Sequence, residues 1–333
     1  IIFIKPISHL LGADEEMLPY CVKYGRTILI ALVPFMLMNI FQSFLVTAEL
    51  PHYGLIITIA SGVVNVILDA LFVAVFKFGV IGAAVATGIS QAIGGFIPLF
   101  IFIFSKKSKL HLGRTHFSKK ALLKSCANGS SEFMSNVAVS LVNMLYNWQL
   151  MKLLGHNGVT SYGVIMYVNY IFLSIFFGYS IGSSPVVGYH YGAGNTDELK
   201  GLFKKSIRII LVSSVVLTLT AELLAAPLSK IFVSYDKDLL KATTHAFAIY
   251  SASFLIAGIN IYASSFFTAL NDGLTSAIIS FFRTLVFQVI AVIVLPLIFG
   301  SQGIWFAIIA AEALSLLLSL FFIVSKRKKY SYY

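Results

Sequence analysis

Nine apolar runs, near residues 24–46, 54–76, 80–104, 128–154, 162–187, 206–226, 242–270, 275–299 and 304–324, leave this chain little choice of fold. A helix needs about 20 apolar residues to cross a bilayer core. Backbone polar groups in lipid must be satisfied within the segment, so runs of this length are predicted to be helices. Turn-forming sequences separate them: Leu50-Pro51-His52-Tyr53-Gly54, Gly155-His156-Asn157-Gly158, Gly192-Ala193-Gly194-Asn195, Asn271-Asp272-Gly273 and Gly300-Ser301-Gln302-Gly303. The predicted class is an all-α integral membrane protein. With 58% hydrophobic and 11% charged residues, against about 25% charged in an ordinary globular domain, a soluble enzyme, a disordered tail and a secreted disulfide scaffold are excluded. Cys21 and Cys126 are far apart in sequence and form no disulfide or metal pattern.

The net charge of +11 does not point to nucleic acid, because Lys and Arg fall in short tracts between the apolar runs. Seven lie between Lys106 and Lys124, four between Lys200 and Arg208, and four between Lys326 and Lys329. If the spans alternate, these tracts share one side, and eight others (Lys5, Lys23, Arg26, Lys77, Lys152, Lys230, Lys237 and Lys241) lie opposite. Enrichment of Lys and Arg on cytoplasmic loops puts the C-terminus inside the cell and Ile1 towards the outer face. The expected location is the cell membrane, crossed many times by a monomer.

A shift of 221 positions lays Asn39 on Asn260, Thr47 on Thr268, Ala48 on Ala269, Gly82 on Gly303, Gln91 on Glu312 and Lys107 on Lys328. Six spans separate the copies, so both run in the same direction, a parallel repeat of the kind found in transporters. The first copy is expected to lack about 100–110 residues, roughly two and a half helices, which makes Ile1–Ile4 a stub. The division then reads as an incomplete N-terminal lobe, 1–110, holding the end of helix 3 to helix 6. A C-terminal lobe, 111–333, holds helices 7 to 12, with a basic loop at 105–124 and a tail at 325–333.

Ionisable groups inside a membrane are costly and are functional candidates by default. Asp69, Glu132, Glu222, Arg283 and Glu312 lie within spans. Glu132, Asn136, Ser140, Asn143 and Asn147 follow one another at steps of three and four, which places them on one helical face. Such a face suits a water-filled cavity, or hydrogen bonding between helices. Thr58, Ser61, Asn65 and Asp69 form a second stripe, in which Asp69 reads equally as a cap, an ion-pair partner or a transport residue. Glu312 continues with Ser315 and Ser319, and Arg283 shares a face with Ser276 and Ser280. A buried Arg calls for pairing, here with Glu312 or Glu222. The candidate ion or substrate cleft therefore comprises Glu132, Asn136, Ser140, Asn143, Asn147, Asp69, Asn65, Asn260, Glu312 and Arg283.

A carboxylate in such a cleft can carry a proton or bind a cation, the chemistry of a proton- or sodium-coupled transporter. No phosphate-binding Gly-Lys-Ser/Thr loop is present, which argues against an ATP-driven pump. No His-Glu-x-x-His motif is present, and the histidines lie in or near loops, so no metal and no enzymatic role is expected. Tyr162, Tyr167 and Tyr170 are candidates to line a cavity for flat cations or to pack between helices.

Asn65-Val-Ile-Leu-Asp69, Gly79-Val-Ile-Gly82-Ala-Ala-Val-Ala-Thr87 and Gln91 resemble helices five and six of the multidrug and toxic compound extrusion (MATE) family. Leu11-Gly12-Ala13-Asp14 leading to Tyr20 resembles that family's connection between helices three and four. Pro185 with Gly188-Tyr-His-Tyr-Gly-Ala-Gly-Asn195 resembles the segment leaving helix eight. The resemblance implies two six-helix bundles forming a V around a cleft, and export of amphipathic or cationic compounds driven by entry of H+ or Na+. It implies no other cofactor. Family members place coupling carboxylates in helix one, or in helices seven and ten. Here the helix-seven span carries Glu132, while 242–270 contains no Asp or Glu. A flippase for lipid-linked sugars or other amphiphiles is the nearest alternative, and an inactive truncated exporter is another. One membrane-embedded Arg against four carboxylates favours the exporter.

Overall fold

A computed structural model of the chain describes the backbone of residues 3–10, 18–104, 110, 113 and 117–333. The side chains of 9, 10, 43, 47, 121, 124, 125 and 127–135 lie outside that description. The described residues are helical without strands and group into two compact units, Ile1–Phe117 and Ser118–Tyr333.

The first unit contains α1 (Ile4–Leu10), α2 (Leu18–Ile30), α3 (Leu32–Thr47), α4 (Pro51–Asp69) and α5 (Gly79–Phe104). A π-helical segment, Ala70–Val75, follows α4 directly. The run expected at 24–46 is bent by 46° between α2 and α3. Pro34, in the first turn of α3, lacks the N–H for an intrahelical bond and its ring crowds the carbonyl four residues back. On α5 the buried positions include Gly82, Ala86, Ser90, Gly94 and Pro98, a four-residue period of small or compact residues. Such a stripe lets helix backbones approach closely. A Cβ on Gly95 would lie 2.6 Å from the Pro34 carbonyl oxygen, and Ser61 Oγ donates to the Ser90 carbonyl at 2.6 Å. On α4, Leu55, Ile56, Ile59, Val63, Val66 and Ile67 are exposed. That apolar face suits a hydrocarbon solvent and would be a liability in water.

The second unit contains α6 (Lys119–Gly192), α7 (Thr196–Val233), α8 (Lys237–Ser251), α9 (Phe254–Ala269) and α10 (Gly273–Phe281). A second π segment, Phe282–Val286, leads into α11 (Phe287–Phe299), and α12 (Ser301–Tyr330) completes the unit. The stretch α6 is two helical arms joined at Gly155, which adopts φ 64° and ψ −154°, a conformation that essentially only glycine accepts. The chain folds back there. Tyr162 Oη donates to Asn143 Oδ1 at 2.9 Å, whereas a straight helix would hold these residues about 28 Å apart. Gly300 takes nearly the same angles, φ 59° and ψ −142°, between α11 and α12, which pack on each other. Both reversals fall in turns expected from sequence.

Five helical stretches are long and apolar enough to cross a membrane, and up to seven among the described residues if each bent pair counts as one. The second bent pair, α8–α9, turns by 45°. Near that break Ser251 Oγ bonds both the Ala248 carbonyl at 2.8 Å and Glu222 Oε1 at 2.6 Å, competing for the helix's own acceptor. Nine residues of α9 are buried, from Phe254 to Phe267, so this helix is enclosed by α6, α7, α10 and α12. The last helix runs past the apolar limit at residue 324 to Tyr330, carrying the basic tract Lys326–Lys329 as two further turns.

Gly303, in the first turn of α12, sits against the Leu295 carbonyl of α11, and any Cβ there would collide with it. Gly303→Ala is expected to cost about 1–3 kcal/mol through forced separation of α11 and α12, read as a lower unfolding temperature in detergent. Gly201→Ala, on α7 with open space around it, should leave that temperature unchanged or raise it, because alanine favours helix by about 1 kcal/mol.

Candidate functional site

The second unit holds a half-open cavity of about 400 Å³ whose walls come from both arms of α6, from α8 and α9, from the π segment and from α11 and α12. This volume is in the range that holds drug-sized ligands, about 300–1,000 Å³. Its charged wall is one ion pair. Arg283 Nε lies 2.9 and 3.0 Å from the two carboxylate oxygens of Glu312, and Nη2 lies 2.8 Å from Oε1. The Glu312 side chain is 3% exposed and that of Arg283 13%. Asn260 on α9 donates through Nδ2 to Glu312 Oε2 at 2.7 Å and to the Glu312 carbonyl at 3.0 Å. Its Oδ1 accepts from Ser319 Oγ at 3.0 Å. The carboxylate therefore has charge-assisted partners from two other elements, which a charge removed from water requires. Of the two acids considered for Arg283, Glu312 is the partner; Glu222 is exposed and bonds Ser251.

The π segment explains why Arg283 and Gln288 both line this cavity. Five residues apart on an α-helix they would point about 140° away from each other. The wider i→i+5 turn of Phe282–Val286 brings them towards one side. Ser276 and Ser280, which sequence periodicity groups with Arg283, instead bond Ser264 of α9 at 2.9 and 2.7 Å. They lock α10 to α9 and leave the arginine to the cavity.

The rest of the wall is largely apolar, with Val142, Met166, Leu173, Phe177 and Ile308, and carries tyrosines and amides among them. Tyr146 and Tyr162 stack across the Gly155 reversal with centroids 5.1 Å apart, and Tyr146 Oη donates to Gln288 Oε1 at 3.3 Å. Tyr170, Tyr250, Asn143 and Asn169 line the same space. Tyr167, the third candidate tyrosine, is exposed and stacks on Phe232. Tyr146, Asn169, Tyr250 and Gln288 were not among the sequence candidates. Tyr146 alone carried a signal, three residues beyond Asn143 on the polar stripe.

Of that stripe, Asn143 reaches the cavity. Asn136, Ser140 and Asn147 are exposed, with Ser140 Oγ donating to the Asn136 carbonyl at 3.0 Å. The Glu132 side chain lies outside the described residues. In the first unit, Asn65 and Asp69 sit half-buried at the end of α4, immediately before the π segment. Asn65 Nδ2 and Asp69 Oδ1 are buried with no hydrogen-bond partner among the described residues.

A second polar cluster fastens the end of α12. Asp272 caps α10, accepting from the Thr275 backbone N–H at 3.3 Å, and takes bonds at 2.8 Å each from Lys326 Nζ and Tyr330 Oη. Burial pushes the Asp272 carboxyl up, but the bonds from Lys326, Tyr330 and Thr275 outweigh it and hold the group well below the usual carboxylate range. A depressed native pKa stabilises the fold fully above the unfolded value of about 3.9, and the contribution is lost as pH falls below that. Hydrogen exchange of the 325–333 amides, corrected for intrinsic rate, should stay slow near pH 6 and accelerate below about pH 4; in Asp272→Asn it should be fast at both. Removing one partner of the buried pair, as in Glu312→Gln, is expected to cost about 3–5 kcal/mol. Joint replacement with Arg283→Met should recover most of that loss in a double-mutant cycle of unfolding.

The MatE family model matches residues 1–71 and 133–294. Multidrug export protein MepA of Staphylococcus saprophyticus is 24% identical over 328 residues, covering 98% of this chain and 71% of the relative. MepA of Staphylococcus haemolyticus is 25% identical over 334 residues, covering 98% and 72%. A crystal structure of MATE in complex with MaL6 superimposes with a TM-score of 0.85 at 19% identity, covering 99% of this chain and 75% of the other. A MOP superfamily transporter from Pyrococcus furiosus gives 0.86 at 19% identity, covering 98% and 73%. With most of its length matched by the family model and its helices following the fold of MATE structures, the chain belongs to the MatE family of multi-pass membrane proteins.

Proposed function

We propose that this protein is a secondary active multidrug transporter that exports amphipathic, often cationic compounds in exchange for H+ or Na+. The MepA relatives are multidrug export proteins, and 98% of this chain aligns with them. The observation that carries the reading is the cavity of about 400 Å³, whose largely apolar wall carries tyrosines and amides around a compensated ion pair. Aromatic faces attract flat cations without demanding one shape, while the amides accept or donate as the ligand requires. Arg283 is held by Glu312, so the cavity offers no uncommitted cation to an anionic lipid-linked cargo, which weighs against the flippase reading.

The Gly155 and Gly300 reversals each divide one apolar stretch into two, which supports reading nine crossings when each bent pair is taken as one. Gly82 and Gly303, equivalent under the 221-residue shift, are both close-approach positions, which supports two copies of one bundle. In this reading the protein sits in the cell membrane with α12 ending on the cytoplasmic side. Glu132 is the coupling acid of the second lobe, and Asn65 with Asp69 is a polar site of the first.

Proteoliposomes loaded with a planar cationic dye such as ethidium test the proposal. An imposed proton or sodium gradient should drive dye movement, and the effective gradient identifies the ion. Tyr170→Ala, at a cavity residue that is 58% exposed, should lower transport about two- to fivefold, matching the loss of an exposed cation–π contact of about 0.5–1 kcal/mol. Glu132→Gln should abolish gradient dependence. Wild-type protein that moves no dye under either gradient would overturn the exporter reading.

A further inference from the structure

The end of α12 is built differently from a loose basic tail. Tyr330 is buried and bonds Asp272, and Tyr332 is fully buried against Phe203, Phe266 and Phe267. Its hydroxyl donates to the Ile323 carbonyl at 2.7 Å, and Ser331 between the two tyrosines turns the chain with φ 52°. Two anchors therefore hold the end of α12 against α9, the cap of α10 and Phe203 of α7. Beside them lies an open pocket of about 420 Å³ lined by Lys200, Arg327, Lys328, Ser331 and Tyr333. Among the described residues, ion pairs engage Arg283 and Lys326, and none engages Lys200, Arg327 or Lys328. Three like charges held around one pocket repel each other, and an anion seated between them relieves that repulsion.

The surface leading to this pocket limits which anion fits. Exposed Leu317, Phe321 and Val324 on α12 recur at steps of four and three and continue directly into Arg327 and Lys328. One helix face thus changes from apolar to cationic at the point where the apolar span ends, matching a molecule with an acyl chain on one side and a phosphate on the other. Asp197 and Glu198, in the first turn of α7, are exposed and do not line the pocket. We propose that Lys200, Arg327 and Lys328 form a binding site for the headgroup of an anionic phospholipid, with its acyl chain lying along Leu317, Phe321 and Val324. The site rests on the membrane placement of α12 and is independent of what the protein exports. Basic pockets beside membrane helices commonly take such headgroups.

Native mass spectrometry of the full chain in detergent, titrated with phosphatidylglycerol or phosphatidylcholine, tests the proposal. The wild type should retain phosphatidylglycerol at least tenfold more than phosphatidylcholine, and Lys200→Gln/Arg327→Gln/Lys328→Gln should lose most of that preference. The charge-matched variant Lys204→Gln/Lys205→Gln/Arg208→Gln, on α7 outside the pocket, should keep it. Equal loss in both triple variants would mean diffuse surface attraction and overturn the site, as would equal retention of the two lipids by the wild type. Inorganic phosphate at 50-fold excess over lipid should not displace phosphatidylglycerol; full displacement would make this a free-phosphate site and overturn the lipid assignment. Charge reversal by Lys328→Glu alone should give at least a fivefold loss, so the test does not depend on the triple variant folding.

Discussion

A carboxylate with almost no access to water sits where three elements of the second unit meet, and their arrangement follows from satisfying it. Glu312 on α12 is held in two-oxygen contact by Arg283 from the π segment and by Asn260 from the enclosed helix α9. Leaving such a charge unpaired in an apolar interior would cost more than most single contacts contribute. Asn260 in turn needs Ser319, so both ends of its amide are used. The π segment belongs to the same requirement, because its wider turn aims Arg283 and Gln288 at one space. The cavity is what remains around this pairing once tyrosines from α6 and α8 close its sides.

Neutrality within the cavity changes how its charges are weighed. Counted along the chain, carboxylates outnumber arginine inside the membrane and suggest an acidic cleft. In the fold Glu312 and Arg283 cancel, Glu222 is occupied by Ser251 at a helix bend, and Asp69 belongs to the other unit. Among the described residues, the second unit offers a ligand a largely apolar wall set with phenols, amides and one compensated pair. Such a wall favours broad acceptance of amphipathic aromatic compounds over recognition of one charge.

The two units stabilise their helices by different means. In the first, small residues every fourth position on α5 bring backbones together, and Ser61 bonds a backbone carbonyl across that contact. In the second, an aromatic core around α9 fills wider spaces, and hydroxyls of Ser264, Ser276 and Ser280 bridge α9 and α10. Two tyrosines secure the end of α12 to that core, and Lys326 pairs with Asp272, while Arg327 and Lys328 face outward with no ion-pair partner among the described residues.

Several turn positions and the all-α class were legible in the sequence because lipid permits few backbone solutions for long apolar runs. Gly155 and Gly300 were legible as turns for a related reason, since few residues accept their angles. The polar stripes were legible as helical faces, and the need of Arg283 for a partner followed from the cost of burying its charge. Which acid it would find was not, because Glu312 and Arg283 are 29 residues apart and meet only through the α11–α12 reversal. Gln288 and Tyr250 were hidden for the same kind of reason: one joins the cavity through a π turn that α-periodicity does not anticipate, the other from a separate helix. Sequence determined which segments are long apolar helices and which faces are polar; tertiary structure decided which of those faces meet, because pairing across helices depends on reversals and bends that local periodicity does not encode.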